Sequence, residues 1–414
     1  MISLKHRNTC RLCGSLSIKL VLQLTPTPPG DMYLKREDAD KARTLLPLDL
    51  YMCEDCGYVH LLDILDPDAI YPDYIYTTAT SPGLVEHFEQ YSQHVLERLK
   101  LKKDSLVVDI GSNDGALLRS FKSSGLRVVG IEPAVTIAQQ ATTDGIPTIC
   151  RYFDELAART IQTEYGKASL VTANNVFANI DDVEGFVENV KAILAPDGVF
   201  VIEFAYLGDL IQKKIFDYIY HEHLSYFSVE TLCRFFSARD MTVVAAEAVQ
   251  TKGGSIRMYV QRKVDLPRLS EGVDPWIKKE AAERLRTVET YRKLQDDVNA
   301  AAMACRAALN KLKEQGHRIV GYGASVTCTT LIYHFGLAQY LDYLVDDNET
   351  KIGRICPGLS IDVRRSSELE QRTDVVVVIL AWRFAEMIVT RNQALLERGG
   401  IFIVPMPTLK VIHR

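Results

Sequence analysis

Long hydrophobic runs are missing from this 414-residue chain. No segment approaches the roughly 18 uninterrupted apolar residues of a membrane helix, and MISLKHRNTCRLCG at the amino terminus holds no apolar stretch of signal-peptide length. No membrane partner is expected, and the cytoplasm is the expected compartment. A broad positive field is missing too, since 48 Lys+Arg face 53 Asp+Glu, which argues against nucleic acid as the main partner. Cysteine is sparse and odd in number, nine in all, too few to staple a chain of this length with disulfides. What is there, 47% hydrophobic and 24% charged residues, is an ordinary soluble composition, and the length suggests two or three domains.

The placement of the cysteines says more than their number. Cys10-Arg-Leu-Cys13 and Cys53-Glu-Asp-Cys56 are two CxxC knuckles. Tetrahedral Zn²⁺ takes four thiolates at about 2.3 Å, and a two-residue spacer lets one tight turn present both sulfurs of a pair. Four protein ligands close the coordination sphere and leave no position for an activated water, so the expected Zn²⁺ is structural. The segment between the knuckles carries PTPPG at 26–30 and little apolar periodicity, and reads as unable to make its own core without the metal.

Residues 106–115, LVVDIGSNDG, form an apolar strand carrying Asp109 that runs into a loop with Gly111, Asn113 and Gly115. Glycines there let backbone N–H groups approach a ligand closely. The next strand, Arg127–Ile131, closes on Glu132, an acid suited to two ribose hydroxyls. Strands at Ser169–Ala173, followed by Asn174, and at Val199–Glu203 alternate with helical patterns, which calls for a doubly wound α/β sheet with its ligand at the carboxyl ends of the strands. The loop is not GxGxxG, which weakens a dinucleotide reading. Its Asp-x-Gly-x-x-x-Gly pattern resembles the S-adenosylmethionine site of class I methyltransferases. That resemblance sets Asp109 and Gly111 beside methionine and ribose, Glu132 on the ribose hydroxyls, Phe153-Asp154 near adenine, and Asn174 after the fourth strand.

Titratable groups crowd into FDYIYHEHLSYFS at 216–228. Histidine takes a proton near neutral pH, and an adjacent Glu or Tyr can fix its tautomer, so a general base is one reading. A buried His–Glu network or an aromatic core strip is another, and a metal pair from His221 and His223 a third that lacks further ligands nearby. From Pro275 to Gln315 apolar residues recur every three or four positions, one helical stripe of about 60 Å that invites a break or a bridge between domains. Strands at 318–324, 341–348, 374–381 and 401–405 form a second αβ unit, whose first turn, with Gly321 and Gly323, could hold a diphosphate at a helix amino terminus or could simply pack. His334 and the cysteines at 150, 233, 305, 328 and 356 are expected to be inert core.

YHEH followed by LSYFS, GGSIR at 253–257, the double CxxC and GYGA at 321–324 together resemble the nucleotide-sugar C-methyltransferase family, over essentially the whole chain and in the same order of parts. The resemblance implies an N-terminal zinc-binding domain (1–70), a class I methyltransferase domain binding S-adenosyl-L-methionine (71–265), and a long helix with a C-terminal Rossmann-like α/β domain for the sugar nucleotide (266–414). It implies a small-molecule nucleotide-sugar substrate and C-methylation, at C3, of a 4-keto-6-deoxy sugar through an enolate. A C–H bond beside a ketone is weakly acidic, so a base must remove the proton while a donor stabilises the enolate oxygen. By the resemblance His223 is that base, Tyr220 and Glu222 its polar companions, and Tyr76 a substrate-side tyrosine. Lys252, Arg257, Tyr322, Gly323, Thr327 and Asp346 fall on the substrate side. Three positions depart from the family: Asn179 stands where it usually has histidine, Thr327 where it commonly has lysine, and Lys252 where histidine is common. Asn179 can donate a hydrogen bond but carries no proton at pH 7. These departures keep open an isomerase or carbon-skeleton rearrangement of a keto sugar without net methyl transfer. A monomer is the favoured state.

Overall fold

The computed structural model describes residues 4–67, 83–263, 269 and 271–414. Three units follow one another. In the first, β1 (Leu4–His6), β2 (Ile18–Leu22), β3 (Leu50–Cys53), β4 (Val59–Leu61) and β5 (Asp63–Leu65) are short; β1 pairs with β5, and β2, β3 and β4 form an antiparallel ladder. The knuckles sit before β2 and at the β3–β4 turn.

The second unit holds β6 (Leu106–Ile110), β7 (Arg127–Ile131), β8 (Thr148–Ile149), β9 (Ala168–Asn174), β10 (Leu194–Ala205), β11 (Ser225–Tyr226), β12 (Met241–Val249) and β13 (Ser255–Arg262). Among the described residues seven of these make one sheet, in the order β12-β13-β10-β9-β6-β7-β8, parallel except that β13 runs against both its neighbours. This is the class I methyltransferase arrangement, and the central strands are buried on both faces, as covered parallel strands are. β11 does not join that sheet. It pairs antiparallel with β4, so the histidine-bearing segment is stitched to the first unit.

The third unit is a six-stranded sheet of β14 (Arg318–Tyr322), β15 (Leu344–Asp346), β16 (Val363–Arg365), β17 (Val375–Ile379), β18 (Ile401–Val404) and β19 (Lys410–Ile412), ordered β16-β15-β14-β17-β18-β19 with β19 alone antiparallel. That is a Rossmann-like sheet. The long helical stripe is broken into Asp274–Ala282 and Val288–Glu314, with Arg284 in a left-handed conformation at the break. Gly316, at φ +85°, stands just past the second helix, where a residue without Cβ ends a helix at least cost.

One expectation is corrected here. The segment between the knuckles is not without a core: Val21, Leu22, Leu24, Tyr33, Leu48 and Leu50 are buried in one continuous cluster with residues of 207–226, the helix Val288–Glu314 and the third sheet. Its apolar partners lie in the carboxyl-terminal half, beyond the reach of local periodicity. The Tyr33 hydroxyl donates to the Ser325 carbonyl at 3.3 Å, and Leu34 and Ile355 form an isolated bridge. The cysteines divide as well: Cys305, Cys328 and Cys356 are buried and Cys233 half-buried, but Cys150 is exposed.

Candidate active site

The crevice at the carboxyl ends of β6, β7 and β9 is built from backbone first. Gly111 and Ser112 donate to the Ile131 carbonyl at 2.8 and 3.0 Å, which pins the loop after β6 against β7. Gly111 sits at φ +71°, and a Cβ there would lie 2.3 Å from Val176 Cγ2, so both conformation and space demand glycine. Asn113 and Gly115 complete the turn in left-handed conformations. Glu132 is buried and accepts from the Asn113 and Ala134 amides, one on each oxygen, at 3.0 and 2.9 Å; further lone pairs remain for a ligand. Both side-chain amide atoms of Asn174 are buried without a protein partner, the kind of orphaned polar pair a bound ligand would satisfy. Phe153 packs edge-on to Phe186 with ring centroids 5.2 Å apart, and Asp154 caps the helix Glu155–Glu164 by accepting from the Ala157 amide at 2.8 Å.

Asp109 is 4% exposed and accepts from the Thr172 hydroxyl at 2.6 Å. Burial raises its pKa from 3.8 to about 7, with the Thr172 bond acting the other way. A carboxyl that holds its proton more tightly when folded makes the folded state lose stability as pH rises through the interval between the two values. The ligand-free protein is therefore expected to lose up to about 4 kcal/mol from this group between pH 4 and 7, and Asp109→Asn to flatten that part of the curve in denaturant melts. A cationic ligand would draw Asp109 back to its ionised form.

The histidine-bearing segment leaves β10 through the helix Leu207–Gln212 and the 3-10 turn Phe216–Tyr218, then enters β11. His223 is 9% exposed, with its ring 4.1 Å, centroid to centroid, from that of Tyr220. Its Nδ1 lies 3.3 Å from the Tyr218 carbonyl and its Nε2 2.8 Å from the Tyr220 hydroxyl. A carbonyl only accepts, so Nδ1 carries the proton, and Nε2 keeps a lone pair toward a donating Tyr220. His221 points elsewhere: its Nε2 donates to the Pro47 carbonyl at 3.1 Å, and burial lowers its pKa to about 4, so the two histidines do not form a metal pair. Glu222, Asn179 and His221 share the wall of a cleft of about 350 Å³ with Leu65 and Leu224. His223 is not among the described residues that line this cleft. Tyr76 lies outside the described residues.

On the substrate side predicted from sequence, the Tyr322 hydroxyl donates to the Asp347 carboxylate at 3.0 Å, and Asp346 takes the Ala324 amide at 2.6 Å, closing the glycine turn. Gly323, at φ +120°, lets Cys328 and Ala381 approach. Thr327 stands in the first turn of the helix Val326–His334, and Lys252 in the turn Thr251–Gly253. Arg257 is 5% exposed. Its guanidinium donates to Glu203 at 2.8 and 3.0 Å and to Glu247 at 3.0 Å, and lies 4.0 Å from the Tyr91 ring centroid, so most of its donors are engaged within the protein. Two groups escaped sequence reasoning. His87 is held to Glu203 at 2.9 Å, and Asp217 takes Trp382 Nε1 and Arg383 Nη1 at 3.0 and 2.9 Å. The WRF run just past β17 was the available signal for the second, since ligand-side groups of an open α/β sheet gather at strand carboxyl ends.

The sulfurs of Cys10, Cys13, Cys53 and Cys56 all lie within 4.8 Å of one another, with Cys10–Cys56 and Cys13–Cys53 at 3.6 Å. A tetrahedron with arms of about 2.3 Å has edges of about 3.8 Å, so the four thiolates fit one zinc ion. Nearby, the buried Arg11 guanidinium donates to the Leu61 and Leu224 carbonyls at 2.8 and 3.2 Å, tying the knuckle to the residue that follows His223.

Three family profiles match consecutive stretches of the chain: a zinc binding domain over residues 10–71, a methyltransferase domain over 84–246 and a C-methyltransferase C-terminal domain over 250–407. C-methyltransferase NovU of Streptomyces niveus is 32% identical over 404 residues, 97% of this chain and 96% of its own. Among solved structures, magnesium protoporphyrin IX methyltransferase of Synechocystis PCC 6803 with bound SAM is similar over 43% of this chain and 81% of its own, at 13% identity and a TM-score of 0.33. A protein of Pyrococcus horikoshii OT3 is similar over 47% and 97%, at 16% identity and a TM-score of 0.37.

Proposed function

The chain belongs to the C-methyltransferase family, and from that premise we propose that it methylates the carbon beside the ketone, C3, of a nucleotide-linked 4-keto-6-deoxy sugar, with His223 as the base. It is an S-adenosylmethionine-dependent methyltransferase with an N-terminal zinc-binding domain. Asp109, Gly111, Asn113, Gly115, Glu132, Phe153 and Asn174 would hold the cofactor at the carboxyl edge of the seven-stranded sheet. When bound, S-adenosylmethionine supplies an electrophilic methyl group for a carbanion to take.

The observation that carries the reading is the relay from the Tyr218 carbonyl through His223 to the Tyr220 hydroxyl, which leaves Nε2 as a proton acceptor. The C–H bond beside the ketone breaks, its proton goes to Nε2, and its electron pair becomes the enolate. Tyr220, displaced from Nε2 as the substrate arrives, turns its hydroxyl to the enolate oxygen, where a donor is worth most. Glu222 and Asn179 border the sugar from the cleft wall, and Asn179 contributes a hydrogen bond but no proton. Tyr322, Gly323, Thr327, Asp346 and Lys252 are assigned to the nucleotide side, and Arg257 to support of the wall behind it. The protein is expected to act on a small molecule.

Incubating the protein with S-adenosylmethionine and dTDP-, GDP- and CDP-linked 4-keto-6-deoxy sugars tests this. A product heavier by one methylene is the expected outcome. An isomer of unchanged mass would replace methylation by rearrangement.

A further inference from the structure

The turn that carries the Tyr218 carbonyl has no strand ladder of its own to hold it, yet it contains a fully buried carboxylate, Asp217, between Phe216 and Tyr218 in an otherwise apolar stretch. A buried charge is tolerated only when paired. Two side-chain donors reach Asp217 from the third unit, Trp382 Nε1 at 3.0 Å and Arg383 Nη1 at 2.9 Å, on the same oxygen. The Arg383 guanidinium also lies 4.7 Å from the Tyr218 ring centroid, a cation–π contact, and its Nη2 donates to Thr327 Oγ1 at 3.3 Å. Its Cδ stands 3.1 Å from where a Cβ on Gly253 would be. Arg383 thus touches the GGS loop, the start of the helix Val326–His334 and the histidine-bearing turn, three motifs the sequence singled out separately.

We propose that Arg383 is a positioning residue for His223: by clamping Asp217 and Tyr218 it aims the Tyr218 carbonyl at Nδ1 and so fixes the tautomer in which the proton sits on Nδ1 and Nε2 carries none. The inference rests on the reading of His223 as the base and names what prepares it. An imidazole whose Nδ1 partner wanders exchanges tautomers, and the form protonated on Nε2 cannot act as a base at that atom. The clamp also makes the base geometry depend on the third unit, since Thr330 of that unit donates to the Ile219 carbonyl at 3.2 Å.

The test reads the tautomer directly. In protein labelled with ¹⁵N-histidine, with the His223 signal assigned by its loss in His223→Ala, wild type is expected to show the Nδ1–H form. Arg383→Gln is expected to show a mixture, and Arg383→Lys, which restores one charged donor, to recover part of the shift. Deuterium wash-in to the dTDP-linked 4-keto-6-deoxy sugar is expected to fall about tenfold in Arg383→Gln at saturating sugar, with KM little changed, the pattern of lost preparation rather than lost binding. An Arg383→Gln protein that binds S-adenosylmethionine normally and keeps the wild-type His223 spectrum overturns the proposal. Should that variant fail to fold, Trp382→Phe removes the other donor to the same oxygen and is read in the same way. The two ideas fail separately: wash-in that survives His223→Ala ends the base assignment, whereas an unmoved His223 spectrum in the Arg383 variant ends the positioning role alone.

Discussion

His223→Ala is expected to slow both methyl transfer and deuterium wash-in beside the ketone by about 10²- to 10⁴-fold, the range that a positioned general base contributes. Binding of S-adenosylmethionine should be unaffected, because the crevice at the ends of β6, β7 and β9 is built from other segments. Measuring wash-in without the methyl donor isolates the proton-transfer step, and titrating the cofactor calorimetrically checks the crevice. Tyr220→Phe keeps the ring against His223 but removes the hydroxyl, so it should leave the base in place and weaken the stabilised enolate, with a smaller loss in kcat. If both variants wash in deuterium at the wild-type rate, proton abstraction belongs to another group.

Zinc removal should have the second large effect, and it should not stay local. Structural zinc in small domains is worth about 10–16 kcal/mol of binding free energy at neutral pH, so chelation or Cys13→Ser is expected to unfold the first unit. That unit supplies β4, the partner of β11, and Arg11, whose guanidinium reaches the Leu224 carbonyl. The Tyr58 hydroxyl also donates to Ser225 Oγ, and burial pushes that hydroxyl up to about 12. The expected result is one zinc per chain by metal analysis and, after stripping, loss of the first thermal transition with at least a tenfold fall in activity. Cofactor binding should persist. A stripped protein that keeps full activity would show that the knuckle does not brace the histidine-bearing turn.

Much of the fold could be read from the chain because its strands are local apolar runs ended by turn residues: β7 falls on the expected 127–131, and β6, β9, β14, β17 and β18 within a few residues of expectation. The cysteine cluster was legible because ligand spacing is a local property. What stayed hidden is nonlocal. Asp217 and Arg383 are separated by 166 positions, and neither residue type suggests the other. Val21, Leu24 and Leu48 lack any periodicity because their partners come from the far half of the chain. Glu280 looks like a surface residue of an amphipathic helix, yet it is 3% exposed and accepts from the Val229 and Glu230 amides and the Tyr206 hydroxyl, capping a neighbouring helix. The positional departures at Asn179 and Thr327 were visible as residues, but the proximity of Arg383 to Thr327 was not.

The apolar cluster shared by the first unit, residues 207–226 and the third sheet bears on how such an enzyme could be re-engineered. A chimera that exchanges only the carboxyl-terminal part for that of a relative, in search of a new sugar, would cut through a single jigsaw whose pieces come from three places. Grafts should survive when the amino-terminal strands, the 206–228 insert and the terminal sheet travel together onto a recipient that retains its own seven-stranded core.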